Sequence, residues 1–181
     1  MNYRIIRRLI AAISFVAPVL ALSAGAEDAS VLYRKSYGPW TVLCNKDPMN
    51  DTKRGCVFAA KGQGPSLIGQ NSMLLETWSE DKTKKLTIRL VTPYVLMVSR
   101  GLMFRSDSDP PVTLACTRME NENNCDIQGT DRDALIASWL KATRVVVRSY
   151  TFNQDAKDYR FDMTEFAEGF RDFQNAVNQY L

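Results

Sequence analysis

The sequence predicts a mainly β fold, an antiparallel β-sandwich-like domain with two short helices, one of them at the C-terminus. Short apolar segments alternate with clusters of turn-forming residues along most of the chain. The four cysteines are spaced as two sequence-local pairs. Apolar residues recur at helical spacing in two stretches, after Gly129 and after Thr164. Together these observations indicate strands joined by turns, with a helix at two places.

Residues 1–26 are predicted to be a cleaved secretory signal peptide. Arginines precede an apolar run over Leu9–Leu22, and small residues follow as far as Ala26. The run is shorter than the roughly 20 apolar residues that a bilayer-spanning helix needs, although an uncleaved anchor is the alternative interpretation. Residues 27–181 are then expected to form a single disulfide-stapled β-rich domain.

Removal of the leader changes the net charge of the chain. The full sequence has 23 Lys and Arg, 20 Asp and Glu, and no histidine. Because the leader carries three arginines and no acidic residue, the exported part has 20 charges of each sign. Its neutrality gives no indication of nucleic-acid binding. Without histidine or closely spaced cysteines, no metal site or other cofactor is predicted.

Cys44, Cys56, Cys116 and Cys125 are expected to form two disulfides, because an even cysteine count in an exported chain is typical of an oxidising compartment. Three connectivities are open. The pairs Cys44 with Cys56 and Cys116 with Cys125 are favoured, since each is close in sequence and separated by polar residues. The long-range alternatives would staple one sheet to the other. Reduction is predicted to destabilise the fold.

The first predicted hairpin contains the first cysteine pair. Apolar and β-branched residues over Trp40–Cys44 predict a strand, turn-forming residues follow over Asn45–Asp51, and the apolar pattern resumes over Cys56–Ala60. A disulfide between the two strands would fix their register. Trp40 is expected to be a core side chain beside this disulfide.

Two more hairpins are predicted in the middle of the chain. Residues 71–79 and 85–92 flank a polar turn, and Leu86, Ile88 and Leu90 alternate as expected when one face is buried. A second disulfide hairpin is predicted to repeat the layout of the first. Its strands are residues 112–117 and 125–128, and the remaining predicted strands are residues 102–105, 145–152 and 159–163.

Two helices are predicted in the C-terminal third. Thr130 and Asp133 resemble a capping box, which starts a helix over about Asp131–Lys141. Thr164 is predicted to cap the last helix, whose aromatic face is expected to dock on the sheet. The apolar residues of this face are Phe166, Phe170, Phe173 and Val177.

An aromatic and methionine set provides the candidate pocket or interaction surface, although a core uses the same residue types. The set is Trp78, Tyr94, Met97, Met103 and Phe104. Acid and base chemistry has two candidate carboxylate pairs, Glu76 with Glu80 and Asp107 with Asp109, but their positions at a strand end and in a loop favour solvated surface. With no histidine and no G-x-S-x-G segment, no catalytic residues are assigned and an enzyme is not predicted.

Several segments of the chain, taken together, resemble the invasion-associated locus B family of exported bacterial proteins. They are YGPWTVLC, GCVFAA, TLACTRM, NCDIQGTDRDALIASWLKATRVVVRSY and FDMTEFAEGFRDFQNAV. The resemblance implies a periplasmic or envelope-associated β-rich domain of Gram-negative bacteria, linked in some members to host-cell entry, without established catalytic residues. This chain departs from the family pattern around Pro93, where it has no glycine, and at Asn124, where glycine is usual before the cysteine.

The expected function is that of a non-enzymatic protein of the periplasm or outer membrane that acts through an envelope or host component. Peripheral membrane association is compatible with this expectation. Two alternatives remain: a periplasmic module that binds a small ligand, and a hydrolase that works without histidine. The partner, the oligomeric state and a role in host invasion are not predicted by the sequence.

Overall fold

The computed structural model describes residues 30–63, 72–78, 86–117 and 123–181, and for Asp51 and part of the fourth strand it describes the backbone alone. The predicted signal peptide lies outside the described residues. In chain order the elements are β1 (Val31–Tyr37), β2 (Trp40–Asp47), β3 (Asn50–Lys61), β4 (Ser72–Trp78), β5 (Thr87–Val91), a 3-10 turn (Val98–Arg100), β6 (Leu102–Ser106), β7 (Val112–Leu114), β8 (Asn124–Ile127), α1 (Gly129–Trp139), β9 (Arg144–Tyr150), β10 (Ala156–Asp162) and α2 (Phe166–Tyr180).

These strands form two antiparallel sheets in the described part of the chain. The large sheet has the order β1-β2-β3-β4-β5-β8, and the small sheet has the order β10-β9-β6-β7. Helix α1 connects β8 of the large sheet to β9 of the small sheet, and α2 packs across β1, β2 and β3. The prediction of a mainly β, antiparallel, sandwich-like fold with two helices, one at the C-terminus, is confirmed.

The core is built from the inward-facing rows of both sheets. In the large sheet, one row of directly paired residues crosses five strands, and every member is buried because alternate residues of a strand share a face. This row is Trp40, Ala60, Met73, Leu90 and Cys125. The small sheet contributes a corresponding buried row of Phe104, Val147 and Tyr159. One hydrophobic core therefore joins the two sheets.

Helix α2 covers the large sheet with aromatic rings. Phe166 packs edge-on against Trp40, with ring centroids 4.9 Å apart, and Phe173 stacks on Phe58 at 6.1 Å. Gly169 faces the sheet, and a Cβ at this position would lie 2.6 Å from the ring of Phe58. The helix therefore approaches the sheet this closely because residue 169 has no side chain.

The predicted second disulfide hairpin is wrong. Strand β7 pairs with β6 in the small sheet, whereas β8 pairs with β5 in the large sheet. The two segments that flank the second cysteine pair therefore belong to different sheets. Strand β1 was not predicted, because Arg34, Lys35 and Ser36 interrupt its apolar pattern. Charged residues of this kind are typical of an edge strand.

Both helices begin without the side-chain caps that the sequence pattern predicted. Helix α1 begins at Gly129 and has no side-chain cap, so the capping box of Thr130 and Asp133 is wrong. The backbone φ of Gly129 is positive, which glycine adopts without strain. Thr164 does not cap α2; its hydroxyl donates a hydrogen bond of 2.6 Å to Oδ1 of Asp162.

Candidate functional site

The first disulfide lies within the large sheet. Cys44 and Cys56 are directly opposite each other on β2 and β3, with their Cα atoms 4.1 Å apart. Both residues are buried. The bond therefore fixes the register of the hairpin from inside the core.

The second disulfide joins the two sheets. Cys116 follows β7 of the small sheet, and Cys125 lies in β8 of the large sheet. The backbone nitrogen and the hydroxyl of Thr117 both donate to the backbone oxygen of Asp126, each at 2.8 Å. The disulfides are the two sequence-local pairs, yet one of them performs the inter-sheet linkage expected only of the long-range alternatives.

The aromatic and methionine set does not form one pocket wall. Phe104 is buried and packs against Trp139, whereas Met103 lies on the opposite face of β6. Met97 is partly buried, and its backbone nitrogen donates to the oxygen of Tyr150. The side chain of Trp78 lies outside the described atoms. The set is therefore divided between the core and the outer surface.

Tyr94 belongs to a buried hydroxyl cluster. Its hydroxyl is 2.6 Å from the Oγ of Ser149 and is also hydrogen-bonded to the hydroxyl of Tyr159. The two tyrosine rings stack with centroids 6.4 Å apart. Burial is the main cause that raises the pKa of both tyrosines above the ordinary value. Both groups stay neutral and serve as hydrogen-bonding residues within the sandwich.

Asp107 anchors the chain before β9. Its carboxylate accepts hydrogen bonds from the hydroxyl of Thr143 at 2.8 Å and from the backbone nitrogen of Arg144 at 2.9 Å. The hydrogen bonds from Thr143 lower the pKa of Asp107 below its usual value. Asp109 is exposed in the same turn. These two carboxylates border a cleft of about 500 Å³, between residues 106–109 and 137–142.

Glu76 takes part in a shielded ion cluster on the large sheet. Its carboxylate lies 3.1 Å from Nη1 of Arg89, and the Nε of the same arginine lies 2.7 Å from Oδ1 of Asp126. The Asp126 side chain is only 1% exposed. Glu80, the other member of the predicted carboxylate pair, lies outside the described residues.

The sequence interpretation missed a cationic surface on the outer face of the small sheet. We call the charged residues Arg105, Arg148, Asp158 and Arg160 the arginine face. A depression of about 170 Å³ lies on it, lined by Arg105, Arg148 and Asp158 together with Met103, Pro111 and Val146. Strand alternation is the signal that could have found it, because Arg148 and Val146 share the face opposite to Val145 and Val147.

Asp158 is held within the arginine face by Arg148. The Nε of Arg148 donates to Oδ1 at 2.6 Å, and Nη2 donates to Oδ2 at 2.8 Å. These bonds are the main cause that lowers the pKa of Asp158, and the charges of Arg160 and Arg105 lower it further. Asp158 therefore stays ionised at neutral pH, and the arginine face has three positive charges and one negative charge.

Three exposed apolar side chains lie on two backbone-linked segments; we call Val95, Val98 and Phe152 the apolar end. The backbone nitrogen of Phe152 donates to the oxygen of Val95 at 3.2 Å. Phe152 is 76% exposed, and Val95 and Val98 are 43% and 37% exposed. The turn that carries Phe152 is closed by a hydrogen bond of 2.8 Å from Gln154 to Thr151. Its position is therefore fixed by backbone bonds and not by packing of the ring.

The described residues contain neither a metal-binding cluster nor a membrane-spanning helix. No cluster of three or more His, Cys, Asp or Glu side chains there is arranged to hold a metal ion. None of the helices in that part of the chain combines the length and the apolarity that crossing a membrane requires.

The fold defines a disulfide-bonded domain of two antiparallel sheets, with a C-terminal helix docked on the larger one. The crystal structure of invasion associated protein B from Bartonella henselae is similar, with a TM-score of 0.56 and 10% sequence identity over 81% of this chain and 99% of that chain. A family model described as Invasion associated locus B (IalB) protein matches residues 40–174. The chain belongs to the invasion associated locus B family. No curated protein sequence matches it.

Proposed function

We propose that this protein is an exported, non-enzymatic component of the bacterial envelope that attaches peripherally to a membrane through its apolar end. The exposure of Phe152 carries this proposal. The Phe152 ring is too exposed to contribute to packing. Grouped exposed apolar residues mark interaction sites. Two disulfides support folding in an oxidising compartment such as the periplasm.

The neighbourhood of the apolar end suits a membrane surface. Arg100 lies two residues after Val98, and its guanidinium lies 4.3 Å from the ring centre of Tyr150. A cation and an amphipathic aromatic ring close to exposed apolar side chains are suited to the headgroup layer of a membrane, next to its hydrocarbon phase. Phe152 and Val95 would enter the acyl boundary while Arg100 contacts the headgroups.

The environments of the carboxylates support a non-enzymatic role. Asp107 is engaged with Thr143 and Arg144, and Glu76 is paired with Arg89 in a shielded cluster. Asp107 borders the cleft of about 500 Å³, but hydrogen bonds from Thr143 and Arg144 engage its carboxylate, as Arg89 engages that of Glu76. Turnover in a substrate screen that is abolished by Asp107→Asn or Glu76→Gln would overturn this part of the proposal.

A small-ligand module receives less support. The depression on the arginine face, about 170 Å³, is smaller than the 300 Å³ or so at the lower end of typical ligand pockets. Of the predicted pocket residues whose side chains the structure describes, Met103 alone lines it. The larger cleft beside Asp107 is lined by none of them.

Fractionation of cells that express the full chain tests the membrane attachment. The wild-type protein is expected in the membrane fraction, and Phe152→Ala is expected to move most of it to the soluble periplasmic fraction. Met49→Ala is the matched control, because Met49 is 93% exposed but lies in the turn between β2 and β3. A Phe152→Ala protein that melts normally and fractionates as wild type would overturn the proposal.

A role in host-cell entry is a further part of this proposal, because the similar crystal structure is that of an invasion associated protein. Deletion of the gene is expected to reduce entry, and complementation with Met49→Ala is expected to restore it. Complementation with Phe152→Ala is expected to fail. Unchanged entry after deletion would remove host invasion from the function while leaving membrane attachment to its own test.

A further inference from the structure

The arginine face provides more positive charge than its own carboxylate can neutralise. Arg105, Val146 and Arg160 form one cross-strand row, and Met103, Arg148 and Asp158 form the adjacent row. Arg148 is paired with Asp158 by two hydrogen bonds. Within the described chain, the exposed side chains of Arg105 and Arg160 form no hydrogen bond or ion pair. Two guanidinium groups therefore remain available to an anion.

The depression beside these groups fits one side chain. Its volume is about 170 Å³, and Met103, Pro111 and Val146 provide apolar lining between the charged groups. Such a lining accommodates the methylene groups of an acidic side chain while Arg105 binds its carboxylate. Guanidinium groups bind planar carboxylates through paired hydrogen bonds.

We propose that the arginine face binds an acidic segment of a partner protein, with one glutamate or aspartate side chain seated in the depression. The apolar lining favours this ligand over a free phosphate, because Met103, Pro111 and Val146 can contact methylene groups that a phosphate lacks. Arg148 has a positioning role: it holds Asp158 and leaves Arg105 and Arg160 for the ligand. The site is independent of the apolar end.

Binding of a fluorescein-labelled peptide of alternating Glu and Ala to the purified exported protein tests this site. The Arg105→Gln/Arg160→Gln double variant is expected to weaken binding by at least about tenfold, because two charge-assisted contacts are lost. Arg34→Gln is the matched control, since Arg34 is exposed on β1 of the other sheet. It removes a positive charge and is expected to leave binding within about twofold of wild type.

Asp158→Asn provides a test of opposite sign. It removes the negative charge and frees Arg148, so the acidic peptide is expected to bind several-fold more tightly. Binding is also expected to weaken as salt rises, because salt screens the attraction between the arginines and the acidic peptide. Tighter binding by Asp158→Asn distinguishes a charge-selective site from general loss of structure.

Three outcomes would overturn the proposal. One is absence of peptide binding by the wild-type protein at low salt. Another is equal weakening by Arg34→Gln and by the Arg105→Gln/Arg160→Gln variant. The third is a wild-type protein that binds phosphatidylglycerol vesicles but not the peptide, together with a double variant that no longer binds the vesicles. The Phe152→Ala variant is expected to bind the peptide as wild type does, so failure here is separate from failure of membrane attachment.

Discussion

Two arginine–aspartate pairs in this molecule have nearly the same geometry and different surroundings. Arg89 contacts Asp126 through Nε at 2.7 Å and Nη2 at 2.9 Å, and Arg148 contacts Asp158 through the same atoms at 2.6 and 2.8 Å. The side chains of the first pair are 14% and 1% exposed, and those of the second are 43% and 34% exposed. The same pattern of hydrogen bonds therefore joins a shielded pair on the large sheet and an accessible pair on the small sheet.

The difference shows that geometry alone does not tell what an ion pair does. Removing one partner of a shielded pair leaves a charge that water reaches poorly, so the loss in the free energy of unfolding is large. The same change at an exposed pair leaves a charge that water and salt screen. Burial, and not bond length, separates a structural pair from one on a binding surface.

The largest expected effect is that of Asp126→Ala. It leaves Arg89 with Glu76 and opens a buried site, so the free energy of unfolding is expected to fall by about 3 to 5 kcal/mol. Urea unfolding of the purified protein measures the change. A double-mutant cycle with Arg89→Met separates the coupling of the pair from the cost of the vacated site. A loss below about 1 kcal/mol would mean that the two pairs are equivalent despite their burial.

The next effect concerns the disulfide that adjoins the shielded pair. Cys116→Ser/Cys125→Ser is expected to lower the free energy of unfolding by about 2 to 3 kcal/mol, because it releases a short closed loop and the link between the sheets. Cys125 precedes Asp126, so coupling between this variant and Asp126→Ala is expected. Chemical unfolding of single and combined variants measures it. Simple additivity would show that the shielded pair does not depend on the disulfide.

A smaller effect is expected at the exposed pair. Asp158 has a lowered pKa in the folded protein, so the stability that it contributes is present above its unfolded pKa, about 4, and is lost as pH falls through the folded value. Because the side chain is about one-third exposed, this contribution is at most about 1 kcal/mol. Melting temperatures of wild type and Asp158→Asn, taken at steps of about one pH unit between pH 2 and pH 7, measure this contribution. A difference that persists unchanged at the acidic end would contradict the assignment.

The smallest effect on stability is expected from Arg105→Gln. Its guanidinium has no partner among the described residues, so the free energy of unfolding is expected to stay within about 0.5 kcal/mol of wild type. The same variant is expected to weaken binding of the acidic peptide. A melting temperature that falls as far as that of Asp126→Ala would show that Arg105 stabilises the fold and is not kept free for a ligand.

Local patterns predicted much of the large sheet. The alternation of Leu86, Ile88 and Leu90 identified a strand with one buried face, and the apolar residues around Cys44 and Cys56 identified a hairpin. These features can be predicted from the sequence because each strand pairs with a sequence neighbour. The aromatic face of α2 is readable for the same reason, since helical spacing is local.

The errors arose where pairing is not local. Residues around Cys116 and Cys125 have the composition of a hairpin, but each segment finds its partner in a different sheet. The arginine face was missed because its members come from three strands, β6, β9 and β10, and meet through register alone. Composition placed Met103 and Phe104 together in one pocket wall, whereas the pleat of β6 separates them.

The cross-link between Cys116 and Cys125 has a mechanical consequence. When the chain is pulled from its ends, force cannot lengthen the closed segment, which spans a sequence separation of 9 and would otherwise extend by roughly 30 Å. Sliding of one layer over the other is limited by the same covalent bond. Under a pulling force, the two sheets would thus stay tied together at this bond while non-covalent contacts elsewhere give way.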